Sequence, residues 1–199
     1  MATKTTANQI AEETTTRLVN EYGVNANIEI LKTLPGIMNL VGPDLTKRIA
    51  NLVLNREMRY LDAVGVIRAT ESIVKKEIPE HAAKSDAMLA LEVIIMTADK
   101  INDPAHVLSF VSSIKTVSDN MYDVNTRNKL QNTDRSTTHY VSNVVSEYIK
   151  ICGEERAIKI AGVLAEVSKE IRNQELFLEV TRLFYRYLYD PLTGLARKP

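Results

Sequence analysis

The sequence predicts an all-α protein, a helical bundle of about eight helices arranged in antiparallel hairpins. Apolar residues recur at helical spacing in every long segment, and runs that alternate with period two are nearly absent. Most of the seven glycines and six prolines fall between these segments or at their ends. Because the connections are short, successive helices are expected to pair. A short α-solenoid is the alternative fold.

Helix caps and helix breakers divide the chain into its segments. These span about 6–22, 26–33, 44–77, 79–101, 104–122, 136–152, 154–172 and 174–189. Gly23 ends the first segment. The second is expected to stop at Pro35, because proline lacks the amide hydrogen that continues a helix, and a short turn follows it. Pro43 and Asp44 open the third segment, which Asn55 is expected to break.

The later helices are set by similar signals. Pro79 opens the fourth segment, and Asp103 and Pro104 cap and start the fifth. Gly153 ends the sixth segment, and Asn173 caps the last. These signals set the predicted ends of the later helices.

One polar stretch is the predicted long loop. Residues 123–135 are rich in asparagine and show no apolar periodicity. This loop is a candidate sub-boundary that separates a C-terminal group of three helices. Three helices alone bury little apolar surface, so a single all-α domain over residues 1–199 is favoured.

Residues 87–96 are apolar on every side except at Glu92. A helix of this kind is usually central, so four residues are expected in the deepest layer of the core: Leu91, Ile94, Ile95 and Ala98. A carboxylate buried there would be neutral or paired. Glu92 therefore marks a candidate small-molecule pocket of a regulatory module, although a position at a solvent-facing seam is the commoner arrangement.

The composition argues against common enzyme and metal-binding classes. The formal net charge is zero, whereas a protein that neutralises phosphates usually carries a basic excess. Cys152 is the single cysteine, which excludes an intramolecular disulfide and a zinc site of paired cysteines. The short motifs of hydrolases, nucleotide-binding proteins and metalloproteases are missing. Asp103 and His106 are spaced as in a helix cap. We expect no enzyme activity, cofactor or metal.

Basic residues cluster on the segment over 44–77. Six of them are candidate nucleic-acid contacts: Lys47, Arg48, Arg56, Arg59, Lys75 and Lys76. Acidic residues interleave with them at Glu57, Asp62 and Glu71, so an ion-paired, solvated face is the preferred interpretation. A helical nucleic-acid-associated protein, such as a nucleocapsid or a regulator, is the alternative function.

The last predicted helix carries the best indication of function. Its apolar stripe comprises Leu176, Phe177, Val180, Leu183, Phe184, Tyr187 and Leu188. The other side offers Arg182, Tyr185, Arg186 and Tyr189. Because exposed tyrosine and arginine are enriched in protein interfaces, we expect these four residues to contact another chain.

The stretch DPLTGL that follows this helix resembles the turn that leads into GGDEF diguanylate cyclase domains. Five residues match that turn: Asp190, Leu192, Thr193, Gly194 and Leu195. Arg197 and Lys198 stand where that family usually has Asn-Arg, and its catalytic body and metal carboxylates are missing. The resemblance therefore implies no cyclase activity. We interpret the tail as a basic arm that Leu192 and Leu195 anchor on a neighbouring subunit.

Together these features predict a non-enzymatic structural or interaction protein that self-associates through its last helix and terminal arms. A virus or phage structural component would fit this description. The sequence contains no apolar run of the length that a membrane span needs, and its first residues lack the apolar core of a signal peptide. We therefore expect a homo-oligomer, or a chain with a protein partner, that is cytoplasmic or assembled into a virion.

Overall fold

The computed structural model describes residues 7–22, 28–77, 84–121 and 137–188. In these ranges helices are joined by short turns, and no residue there forms a strand, which confirms the all-α prediction. The helices of the described ranges are α1 Ala7–Tyr22, α2 Ile28–Val41, α3 Pro43–Leu54, α4 Tyr60–Glu77, α5 Lys84–Ala98, α6 Pro104–Met121, α7 Thr137–Cys152, α8 Glu154–Glu170 and α9 Gln174–Tyr187.

Helix α6 is the centre of the bundle. It packs most extensively against α4 and α8, and it also contacts α7. Five of its apolar side chains are completely buried: Val107, Phe110, Val111, Ile114 and Val117. Around this centre, α2 packs on α4, α5 packs on α7, and α9 lies against α7 with a smaller contact to α8. The last helix is therefore at the edge of the bundle.

The prediction that the second helix stops at Pro35 is wrong, because α2 continues through this proline to Val41. A proline inside a helix removes one backbone hydrogen bond. Leu34, Ile37 and Val41 are buried in the core, and their packing offsets that loss. Pro35 itself is exposed. The helix ends instead before Gly42, whose φ of 83° is a conformation that glycine adopts without strain.

Other predicted helix ends are confirmed. Asn55 follows the last residue of α3 and separates it from α4. The Asp103 carboxylate accepts a hydrogen bond of 2.8 Å from the amide of Ala105 at the start of α6. Gly153, with a φ of 83°, lies between α7 and α8. Local capping chemistry therefore sets these boundaries.

The predicted core residues of α5 are buried: Leu91, Ile94, Ile95 and Ala98. They join a hydrophobic cluster to which helices α2 to α9 contribute. The predicted loop over 123–135 lies outside the described residues.

Candidate interaction site on the last helix

Helix α9 begins at a side-chain cap and is held against α7 by one face. The side-chain amide oxygen of Asn173 accepts a hydrogen bond of 3.0 Å from the backbone amide of Leu176, which confirms the predicted cap. Phe177 and Thr181 are buried on the inner face. The hydroxyl of Tyr148 on α7 donates a hydrogen bond of 3.0 Å to the carbonyl of Phe184. This bond joins the backbone of α9 to the bundle.

The structure divides the predicted apolar stripe of α9 into two parts. Phe177 and Leu188 are buried, and Phe184 packs partly buried against the core. A second set remains accessible, with Leu176 54%, Leu183 56% and Tyr187 73% exposed. Val180, which is half-buried, completes this set, and the four residues Leu176, Val180, Leu183 and Tyr187 are called the outer stripe below. The outer stripe is therefore an accessible apolar face on α9.

The charged residues beside the outer stripe are separated by sign along α9. Glu175 and Glu179 occupy the N-terminal half of α9, and Arg182 and Arg186 occupy the C-terminal half, all exposed. Glu179 and Arg182 form an ion pair within the helix. Hydrogen bonds to Glu179 and to Tyr140 raise the pKa of Arg182 above its ordinary value. In the described part of the chain, Arg186 has no side-chain hydrogen bond or ion pair.

A cleft of about 380 Å³ lies between α7 and α9. Its polar lining combines Tyr140, Asn143 and Glu147 of α7 with Arg182, Tyr185 and Arg186 of α9. Three of the four helix residues that the sequence predicts for an interface are thus brought to one surface. Tyr189 and the predicted anchors Leu192 and Leu195 lie outside the described residues.

Most of the predicted nucleic-acid contacts are engaged in ion pairs. Lys47 pairs with Glu13 at 3.3 Å, Arg59 with Asp62 at 2.8 Å, Lys75 with Glu71 at 2.7 Å, and Lys76 with Asp119. Of this set, only Arg48 makes no hydrogen bond or ion pair within the described ranges. The pairing favours the ion-paired, solvated face over a surface that attracts phosphates.

Arg56 holds two helix ends together. Its guanidinium donates hydrogen bonds to the carbonyls of Leu52 at 3.1 Å, Ala98 at 3.0 Å and Ile101 at 3.1 Å. The side chain is only 12% exposed. Carbonyls at helix ends often lack partners within the helix, and Arg56 donates to three carbonyls at or just beyond such ends, of which that of Ala98 also accepts from the amide of Ile101. Sequence reasoning missed this role because two of the three acceptors lie more than forty residues away along the chain.

The other candidate chemical groups have structural partners or lie apart from the cleft. The ring of His106 donates a hydrogen bond of 2.8 Å from Nδ1 to Glu154. Glu92 is half-buried and does not line the cleft between α7 and α9. In the ranges that the structure describes, no three His, Cys, Asp or Glu side chains are grouped closely enough to hold a metal ion.

Comparisons with protein-family models, with curated proteins and with solved structures found no match for this chain. Among the helices of the described ranges, none has the length and apolar character needed to cross a membrane. The described residues form an all-α helical bundle, and α9 carries an exposed apolar face.

Proposed function

We propose that this protein is a non-enzymatic interaction protein that associates with copies of itself through α9. The supporting observation is the outer stripe, in which Leu176, Leu183 and Tyr187 are each more than half exposed. A surface helix needs one apolar face to pack on its own core, and Phe177, Phe184 and Leu188 already supply it. A second apolar face on the same helix favours contact with another chain.

The residues beside the outer stripe also suit an interface. Tyr187 within the stripe offers large aromatic area, and Arg182 and Arg186 offer planar groups that bind carboxylates. Exposed residues of these types are enriched in protein contacts. The formal net charge of zero gives two copies little overall repulsion.

Light scattering after size exclusion tests the proposal on the full chain. The wild-type protein should show a mass above the 22.3 kDa of one subunit, and Leu183→Ser should return it to one subunit because a polar hydroxyl replaces an interface side chain. Leu61→Ser is the matched control, since Leu61 is 78% exposed on α4. It should leave the mass unchanged.

Two results would contradict this proposal. One is a wild-type chain that runs as a single subunit at about 100 µM, where even weak pairing of roughly −6 kcal/mol is visible. The other is equal loss of association in Leu183→Ser and Leu61→Ser. Far-UV circular dichroism on each variant shows whether the helices are intact.

A further inference from the structure

The outer stripe is symmetric about its own midpoint. Along Leu176, Val180, Leu183 and Tyr187 the steps are four, three and four positions, which is the spacing of seam positions in paired helices. Reversal of the chain direction leaves this order of steps unchanged. Two α9 helices laid antiparallel therefore bring Leu176 opposite Tyr187 of the partner subunit, and Val180 opposite Leu183 of the partner subunit.

The charges beside the stripe complement themselves in the same arrangement. Glu179 and Arg186 stand seven positions apart, so they repeat at one position of the heptad on the same flank of the seam. Antiparallel pairing places such flanks together, with Glu179 beside Arg186 of the partner subunit. The two-fold symmetry forms the same pair a second time, between Arg186 of the first subunit and Glu179 of the partner subunit. A parallel arrangement places these two flanks on opposite sides of the seam, so it forms no pair between Glu179 and Arg186 of different subunits.

We infer that two copies of the chain pair through α9 in an antiparallel arrangement, about a two-fold axis that crosses the seam between Val180 and Leu183. This inference rests on the proposed self-association and names its geometry. A second copy is the occupant that the pattern specifies, because one sequence supplies both the symmetric seam and the opposite charges. The pairing also gives Arg186 a carboxylate partner, which it lacks within the described ranges. The interface is isologous: the same surface is used on both subunits.

Disulfide cross-linking distinguishes antiparallel from parallel pairing of the two α9 helices. The test uses the full chain with Cys152→Ser, carrying either Leu176→Cys or Tyr187→Cys, and the two proteins differ in a tag that changes their size. In the antiparallel pair, positions 176 and 187 of different subunits lie opposite each other. Position 176 of one subunit then lies about 16 Å along the axis from position 176 of the other. A disulfide needs Cα atoms within about 7 Å.

Mild oxidation of the mixture should give the mixed disulfide between the two tagged chains and little of either homodimer. A Leu176→Cys homodimer as the main product indicates parallel pairing and overturns the inference, while the proposed self-association survives. Absence of any cross-link in a chain that light scattering shows to be associated overturns it as well. A wild-type chain that stays a single subunit overturns both the inference and the proposed function.

Charge reversal provides a second test of the geometry. Glu179→Arg should weaken association roughly fivefold to tenfold, since two arginines then meet in each of the two symmetric pairs. The double variant Glu179→Arg with Arg186→Glu should restore it. Glu166→Arg is the matched control, because Glu166 also pairs with a residue three positions on, Lys169, at an exposed site of α8. Failure of the double variant to recover, or an equal loss in the control, would overturn the antiparallel pairing.

Discussion

Replacement of Arg56 by methionine removes a charged donor from three carbonyls and leaves the stem of the side chain in place. The guanidinium bonds the carbonyls of Leu52, Ala98 and Ile101, and the side chain is only 12% exposed. The Ala98 carbonyl keeps a second donor, the amide of Ile101. A hydrogen bond from a charged group contributes about 1.5–3 kcal/mol to stability. After the substitution, water can hydrogen-bond to some of the carbonyls and recover part of this energy. We therefore expect a loss of about 2–4 kcal/mol in the free energy of unfolding.

Urea unfolding at neutral pH measures this loss. For a slope of about 2 kcal/mol per molar urea, the midpoint should fall by about 1–2 M. Arg48→Met is the matched control, because Arg48 is half-buried on α3 and makes no side-chain bond within the described ranges. Its free energy of unfolding should change by no more than about 0.5 kcal/mol.

A change below about 0.5 kcal/mol in Arg56→Met would refute the structural role of this side chain. If that variant kept its stability and instead lost affinity for labelled nucleic acid in a salt-dependent manner, the nucleic-acid alternative would be correct.

Two further predictions concern the core and the joint between α6 and α8. Ile95→Ala should lower the free energy of unfolding by about 2–5 kcal/mol, because the buried site cannot collapse fully. A reversible thermal melt measures this loss. A loss below about 0.5 kcal/mol would show that α5 is a peripheral helix. Burial alone would raise the pKa of Glu154, but hydrogen bonds from the Asn102 amide, the His106 ring and the Asp103 amide outweigh it and lower this pKa. The stabilisation is therefore present above the ordinary value of 4.5 and is lost as pH falls through the lowered pKa. Glu154→Gln should cost about 1–3 kcal/mol at neutral pH, with urea midpoints that converge on wild type in acid; parallel curves would contradict this.

Helix positions could be predicted where a local group sets the end. The Asn173 cap, the Asp103 cap and Gly153 act on backbone atoms within a few positions, so the sequence alone indicates them. The predicted helix end at Pro35 was wrong because the effect of a proline is local, whereas the burial of Leu34 and Ile37 that compensates for it comes from contacts with other helices. Tertiary packing overrides a local preference in this case.

The candidate site was predictable only in part for a similar reason. Helical spacing identifies Leu176 and Phe177 as neighbours on one broad apolar arc, but it carries no information on which neighbour meets α7. In the structure Phe177 is buried and Leu176 is more than half exposed. That distinction, which defines the outer stripe, depends on how α9 sits at the edge of the bundle.

The geometry of α9 also limits the size of the assembly that it can form. A two-fold pair uses the same surface on both subunits, so the pair is closed once it forms. Growth into a larger structure, as a virus or phage component requires, needs a second surface on each subunit. Leu89 and Met96 lie seven positions apart on α5, and both are about half exposed. Leu91 and Ile95 of α5 are buried, so Leu89 and Met96 lie on the open side of this helix and would supply such a second surface if the proposed α9 pair grew beyond two copies.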